Sequence, residues 1–558
     1  MNSPLTSEAL FFSREIKTRN DFHISSTTLI ITFSVLVTAL YNQTLWFHLF
    51  DRMEPISIRG VAFFVGLFSL IVTPIYLLLF VFCGKYLLKP LMMILLIISC
   101  GISWFNKLGV IIDENMIRNI VETSRYEAAE LVNISMLLYI FFLGVAPCIL
   151  IYKLRINYDS DPAALAQRSA ILIALFLVVG ILIISNFKYV SYFGRENRDL
   201  RVFINPLYAI LSLQKYTRST FAEDSLFVVI GNDAHRTFRP PKKTVGIFVV
   251  GETARADHFL LNGYTKNTTP NLSRKNIINF SNVTSCGTST AYSVPCMFSF
   301  FDADSYSPGA AQNQSNLLDV VQKAGIKTVW RDNNSSCKGV CERIETLNFR
   351  SDIDEHSQYF NNGEYVDEIL LADLESYIDE TQSDVLIVLH QLGSHGPAYH
   401  KRYPAKFSTF TPECKSNSPH TCSNEQVNNS YDNTILYTDY FLSKTIELLE
   451  KNTGKYQSFM MYSSDHGESL GENGVYLHGL PRSIAPKSQT HVPLIVWLSD
   501  KFSKGGGIDY DALKTCQTRP LSHDNLVHSL LSLFNVETDL RDKNLDIFSS
   551  ACNAELQD

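Results

Sequence analysis

The sequence predicts an α-helical membrane domain followed by a larger α/β domain built on a mostly parallel sheet. Three observations carry that prediction. Five apolar runs, each near the roughly 20 residues that cross a bilayer core, crowd before residue 190. After residue 240, short apolar runs ending in polar residues alternate with helical patterns. Eight of the eleven cysteines lie in that second part, six of them as close pairs, which suits an oxidising compartment outside the cytoplasm.

At 558 residues the chain is too long for one ordinary domain. The expected boundaries are 1–187 for the membrane part, 188–240 for a linker and 241–558 for the α/β part. Candidate spans run at 25–47, 61–83, 90–106, 131–152 and 169–187. The second is the clearest: "GVAFFVGLFSLIVTPIYLLLFVFC" lies between Arg59 and Lys85 with no charge of its own. The third, "PLMMILLIISCGISWFN", is at the short limit, with Lys107 at its end. One such run would also suit a buried helix of a soluble core; five in succession do not. A polar stretch precedes the first span and no small-residue cleavage site follows it, so a cleavable signal peptide is not expected.

Orientation follows from the short loops. Arg14, Lys17 and Arg19 precede span one, Lys85 and Lys89 follow span two, and Lys153, Arg155 and Arg168 lie between spans four and five. The loop 113–130, on the other side, is acidic overall. Basic loops favour the cytoplasmic face, which puts the N-terminus inside and everything after residue 190 outside. A net charge of −7 with no basic stripe excludes nucleic acid as a partner, because phosphate binding needs clustered Lys and Arg.

Cysteine spacing favours disulfides between Cys286 and Cys296, Cys337 and Cys341, and Cys414 and Cys422. Cys516 is then left for Cys552. "CKGVC" (337–341) has a second reading as half of a zinc knuckle, although no second pair at knuckle spacing follows it. In the linker, "RDLRVFINPLYAILSLQKYTR" places Val202, Phe203, Leu207, Ile210 and Leu211 on one helical face. That pattern suits a helix on the membrane surface, or equally one packed on the soluble domain.

Beyond it, "TVGIFVVGE" (244–252), "IKTVWRD" (326–332), "SDVLIVLHQ" (383–391), "SFMMYSSDHGE" (458–468) and "HVPLIVWLSD" (491–500) read as strands. "SNLLDVVQKAG" and "DNTILYTDYFLSKTIELLEKN" read as helices between them. Ligands of such sheets bind beyond the carboxyl ends of the strands. Glu252, His390 and the pair Asp465–His466 fall there.

Singly, these residues have plain readings: an N-cap, a turn carboxylate, a satisfied loop histidine. Together, Glu252, Asp465 and His466 make a donor set suited to Zn²⁺. The fourth ligand of a catalytic site is usually water or a substrate group. A threonine hydroxyl would serve, since the ion lowers its pKa and makes it a nucleophile. "SNVTSCGTSTAYSVPCMFSF" (281–300) offers Thr288, Ser289, Thr290 and Ser293 between two thiols. It is either a structural turn or a clamp that holds one hydroxyl over a metal.

"VVGETARADHFLLNGYTKNTTPNL", "TSCGTSTAYSVPCMFS", "WRDNNSSCKGV", "LHQLGSHGPAYHKRYP", "FTPEC", "NSYDNTILYTD" and "SSDHGESLGENGVYLHG" resemble the bacterial phosphoethanolamine transferases that modify lipid A, a group that includes the mobile colistin-resistance enzymes. The likeness covers both halves of the chain. It implies five spans, a linker helix and a periplasmic domain of the alkaline phosphatase and sulfatase superfamily, anchored in the bacterial inner membrane. It also implies a zinc site of Glu252, Thr290, Asp465 and His466, with Thr290 as nucleophile. Lys338, Ser335, His395 and His478 are implied around the phosphoryl group or a second zinc; His390 is left outside this set. The implied donor is phosphatidylethanolamine and the acceptor lipid A or another lipopolysaccharide group, and a monomer is expected. The product carries a new ammonium, so the cell surface is expected to bind polymyxins and other cationic peptides less well.

In "DENMIRNIVETSRYEAAE", Asn119, Thr123 and Glu127 are spaced i, i+4 and i+8, one polar stripe if the segment is a single helix. Such stripes are usually solvated faces. The resemblance implies donor-lipid binding instead, with Glu127 accepting hydrogen bonds from the ethanolamine ammonium. Asn119 and Thr123 would bond phosphate oxygens or fix the loop.

Other activities fit less well. A sulfatase needs a Cys/Ser-x-Pro-x-Arg signal, and "SVPCMFSF" has no arginine. A glycerol-phosphate transferase of the lipoteichoic type shares the spans and the threonine but suits the paired cysteines poorly. A non-enzymatic membrane sensor of anionic ligands needs no nucleophile and predicts that Thr290→Ala retains function.

Overall fold

The computed structural model describes residues 23–53, 58–123, 125–158, 161–221, 226–351, 353–500, 502, 508 and 510–548, with backbone alone at 125–127 and 220–221. The chain forms two compact units. One comprises Met1–Cys100 and Ile140–Arg198, the other Gly101–Tyr139 and Asp199–Asp558.

Among the described residues, four helices are long and apolar enough to cross a bilayer: Ile58–Val81, Leu88–Lys107, Ile134–Lys153 and Pro162–Ser185. Helices Ser26–Tyr41 and Gln43–Arg52, bent by 63°, make a fifth span if taken together. The protein therefore has an α-helical transmembrane domain, with apolar side chains such as Phe142, Leu150, Ile173 and Leu177 turned outward. The last span begins earlier than the hydropathy suggests. Asp161 accepts from the Ala164 N–H as N-cap and Pro162 takes the first helical position, where a missing N–H costs nothing. Arg168, expected in a loop, thus lies inside the helix and is buried, donating from Nε to Thr27 Oγ1 (2.9 Å) and from Nη2 to Ser26 Oγ (2.7 Å).

The single helix expected over 198–218 is broken. Arg198–Phe203 forms a 3₁₀ helix that buries Val202 and Phe203, and an α-helix starts only at Leu207, directly after Pro206. Proline disfavours helical backbone at the preceding residue and has no N–H to continue the ladder. Ile210 and Leu211 remain exposed.

The second unit holds an eight-stranded sheet. Its strands are β1 (Thr244–Gly251), β2 (Ile278–Thr284), β3 (Lys327–Asp332), β4 (Glu345–Asn348), β5 (Val385–His390), β6 (Gln457–Ser464), β7 (His491–Leu498) and β8 (Leu521–Ser522). The order is β8-β2-β7-β6-β1-β5-β3-β4, and β7 alone runs against the rest. Alternate residues of β1 serve opposite cores: Phe248 and Val250 join one, Val245, Ile247 and Val249 the other. Strands β2, β4 and β8 are absent from the sequence reading. β2 (INFSNVT) is half polar and β4 (ETLN) is an exposed edge, so neither carries the apolar signature of a buried parallel strand. The helix Asn424–Lys451 starts at a Ser423–Gln426 capping box and covers one core.

Candidate active site

Strand register assembles the centre. Ser464 of β6 is opposite Gly251 of β1, so the next residues, Asp465 and Glu252, emerge side by side at the carboxyl edge of the sheet. The Asp465 N–H still donates to the Gly251 carbonyl at 2.9 Å. Behind Glu252 the chain is pinned by Tyr431, whose hydroxyl donates to the Thr253 carbonyl (2.7 Å) and accepts from the Arg255 N–H (2.8 Å).

Thr290 is the first residue of the helix Thr290–Met297, with Ser289 extended as its N-cap. The preceding loop is fixed at several points. Cys286 and Cys296 are disulfide-bonded, and the Cys286 N–H donates to His523 Nδ1 at 3.1 Å. His523 Nε2 donates in turn to the Ser464 carbonyl (3.0 Å), and burial pushes its pKa down to about 3. Thr288 Oγ1 donates to Leu480 O, and Ser293 Oγ to Asp465 O. Of these three hydroxyls, that of Thr290 faces the Glu252 carboxylate and the His466 ring, whereas those of Thr288 and Ser293 are taken by backbone carbonyls. Thr290 Oγ1 lies 3.1 Å from Glu252 Oε2 and 3.4 Å from His466 Nε2.

Glu252, Asp465 and His466 are buried and offer donor atoms within 4.8 Å of one another. His466 Nδ1 donates to the Gly467 carbonyl at 2.8 Å, which leaves the Nε2 lone pair facing the two carboxylates. Asp465 Oδ1 accepts from two backbone N–H groups, whereas Oδ2 is buried with no hydrogen-bond donor. Burial and the adjacent Glu252 charge push Asp465 up to about 7. Burial opposes the Glu252 charge as well, but His466, His395 and His478 outweigh it and hold its pKa down at about 2. Two buried carboxylates, an open imidazole nitrogen and an unsatisfied carboxylate oxygen fit a divalent cation, and the N/O donor set suits Zn²⁺.

Around these atoms lie most of the other residues that the sequence singles out. The His478 ring is 4.3 Å from that of His466 and 5.5 Å from that of His395, centroid to centroid. His478 Nδ1 donates to Glu468 Oε2 (2.7 Å), and Tyr399 holds the other Glu468 oxygen. Lys338 has φ +52° in the loop closed by the Cys337–Cys341 disulfide, and its buried Nζ donates to Ser335 Oγ at 2.9 Å. That disulfide, like Cys414–Cys422, occupies sulfurs that a zinc knuckle would need. Cys516 is also disulfide-bonded; Cys552, its expected partner, lies outside the described residues. His390 ends β5 and points its Nδ1 at Asp332 (3.3 Å), apart from the core set.

The donor stripe is not one helical face. The helix Glu114–Glu122 ends at Thr123, which leaves helical geometry, and a second helix, Arg125–Leu131, follows. Thr123 Oγ1 is spent on the Asn119 carbonyl (2.6 Å), a local bond that competes with helix continuation. The Glu127 side chain lies outside the described residues. Its neighbours make the contacts: Glu130 pairs with Lys401 (2.9 Å) and Arg402, and Glu122 lies beside Lys338.

Sequence reasoning missed Asn334, whose amide donates to Glu252 Oε2 and to the Gln391 carbonyl, both at 2.8 Å. It also missed His523, Glu468 and Glu130. His523 and Glu130 meet partners far away in sequence, and Glu468 reaches His478 only ten residues on but also Tyr399 at a distance of 69; no periodic pattern marks any of them.

Comparison with known proteins agrees with this architecture. The family described as "Phosphoethanolamine transferase EptA/EptB" matches residues 71–221, and the family "Sulfatase" matches residues 244–536. Phosphoethanolamine transferase EptA of Escherichia coli (strain K12) is 40% identical over 490 residues, covering 86% of this chain and 89% of that protein. Phosphatidylethanolamine transferase Mcr-1 of Escherichia coli is 36% identical over 535 residues, 92% of this chain and 96% of the relative. The solved integral membrane protein lipooligosaccharide phosphoethanolamine transferase A (EptA) from Neisseria meningitidis superposes with a TM-score of 0.89 at 32% identity, over 94% of this chain and 99% of that one. The chain belongs to the phosphoethanolamine transferase family, with its α/β domain matching the Sulfatase family.

Proposed function

We propose that this protein transfers phosphoethanolamine from phosphatidylethanolamine to lipid A, or to another lipopolysaccharide group, through a covalent adduct on Thr290. The names of the relatives support the donor and the acceptor class: one is a phosphatidylethanolamine transferase and another acts on lipooligosaccharide. The observation that carries the reading is the placement of Thr290 Oγ1 against Glu252 and His466, beside an unsatisfied Asp465 oxygen.

Glu252, Asp465 and His466 would hold the zinc, with Thr290 completing the set; the ion's chemistry is to lower the pKa of the hydroxyl and stabilise phosphoryl charge. Thr290 Oγ1 forms a bond to phosphorus as the phosphorus–oxygen bond to diacylglycerol breaks. The hydroxyl proton passes to water as the threonine oxygen attacks, and His395 or His478 protonates the departing diacylglycerol alkoxide. Lys338 and Ser335 neutralise and orient the non-bridging oxygens. An acceptor oxygen then attacks the same phosphorus, and Thr290 leaves and regains a proton. Asn119, Thr123 and Glu127 belong to the segment that meets the donor lipid.

The spans would lie in the inner membrane with the α/β domain in the periplasm. Each transfer adds an ammonium to the surface, which weakens attraction for polymyxins. Incubating the zinc-loaded protein with labelled phosphatidylethanolamine and candidate acceptors, followed by mass spectrometry, tests the reading. Phosphoethanolamine should appear on a lipid A or core sugar group; no transfer from phosphatidylethanolamine, with glycerol-phosphate transferred from labelled phosphatidylglycerol supplied in parallel, would favour the lipoteichoic alternative.

A further inference from the structure

Glu122 is the last residue of the helix Glu114–Glu122, and that helix packs against Thr290–Met297, which carries the nucleophile. Its Oε2 lies 3.9 Å from Lys338 Nζ, too far for a hydrogen bond. The same oxygen is buried and has no hydrogen-bond donor, while the side chain as a whole is half-buried, with Arg118 a second positive group near it. Lys338 Nζ meanwhile donates to Ser335 and keeps further N–H groups for a ligand. A fixed positive group and an unsatisfied carboxylate thus stand next to each other beside the nucleophile helix. The sequence alone marks Glu127 for the headgroup ammonium, and nothing in it marks Glu122.

We propose that Glu122 accepts hydrogen bonds from the ammonium end of the donor headgroup while Lys338 and Ser335 take its phosphate, so that Glu122 selects zwitterionic donors. The proposal rests on the role given to Lys338 above. Charge balance supports it. When the headgroup enters, the Lys338–Glu122 attraction is exchanged for Lys338–phosphate and ammonium–Glu122, and no buried charge is left over. Glu122 gives up no hydrogen bond in the exchange and gains a charge-assisted one. A headgroup with a neutral tail would occupy Lys338 and leave the half-buried carboxylate beside an anion, with Arg118 as its remaining positive neighbour. That penalty is a selection against neutral donors.

The test uses the zinc-loaded full chain in detergent with two aryl phosphodiesters that share a leaving group, one bearing a 2-aminoethyl tail and the other a propyl tail. Wild type should prefer the aminoethyl ester in kcat/KM, chiefly through KM. Glu122→Gln should cut that preference roughly tenfold, the scale of one charged hydrogen bond, and Glu122→Asp should retain part of it. No preference in wild type, an unchanged preference in Glu122→Gln, or equal slowing of both esters would overturn the proposal. Phosphatidylethanolamine vesicles test the parent reading separately. If wild type releases no diacylglycerol from them, the donor assignment fails, while the ester preference still reports on Glu122.

Discussion

The nucleophile loop and the acidic segment 114–131 are held in place by different physics. Residues 286–296 are closed by a disulfide and stitched down by Cys286 to His523 and by Ser293 to the Asp465 carbonyl. Residues 114–131 are held largely by charge: Glu114 to Lys215, Glu122 beside Lys338, and Glu130 to Lys401 and Arg402. A covalent clamp with short buried bonds keeps an oxygen in one position, which phosphoryl transfer requires. Ion pairs can be exchanged for those of an incoming ligand, which reading a lipid headgroup requires. In the proposed reaction, rigid chemistry and exchangeable recognition thus fall to separate segments of one domain.

The sharpest way to break the rigid side is to remove a metal donor. His466→Ala and Asp465→Ala should each lose bound zinc and reduce transfer by more than the roughly 10–100-fold typical of a lost outer partner. Zinc analysis beside the transfer assay checks this, and full transfer by metal-free protein would contradict it. Asn334→Ala comes next. It frees Glu252 Oε2 without touching the ligand set, so a loss of about 10–100-fold in metal affinity or transfer is expected, with an unchanged circular dichroism spectrum.

Cys286→Ser with Cys296→Ser is a gentler break. A loop of this length is worth about 3 kcal/mol in the unfolded chain, so denaturation should shift by that order. Zinc should remain bound, while turnover falls further than the folded fraction does. Equal falls would make the clamp a matter of stability alone.

The smallest effect is on pH. Burial pushes Asp439 up to about 6 although it accepts from the N–H groups of Asn271 and Leu272. Its folded pKa lies above the unfolded value of about 4, so the folded state holds the proton more tightly. This group's contribution to stability falls as pH rises from about 4 to about 6. Asp439→Asn should remove that slope in denaturation series taken at stepped pH; an identical slope in both proteins would contradict the assignment.

What the sequence reveals depends on how local each signal is. Glu252 and Asp465–His466 are legible because each ends an apolar run, where an α/β sheet presents ligands. The central strands and the membrane helices are legible for the same reason: their periodicity or length is written in consecutive residues. Asn334 is not legible, since its bond to Glu252 spans 82 positions. Glu130 reaches Arg402 across 272. The stripe through Asn119, Thr123 and Glu127 misleads because it assumes a continuous helix, and Thr123 turns the chain out of helical geometry. Strand β2 hides among polar residues because only its pairing with β7 and β8 defines it.

Covalent capture tests the central claim most directly. The zinc-loaded protein incubated with phosphatidylethanolamine and no acceptor should gain one phosphoethanolamine, located by peptide mass spectrometry on Thr290 and absent from Thr290→Ala. An adduct on Thr288 or Ser289, or undiminished transfer by Thr290→Ala, would contradict the assignment of Thr290 as the nucleophile.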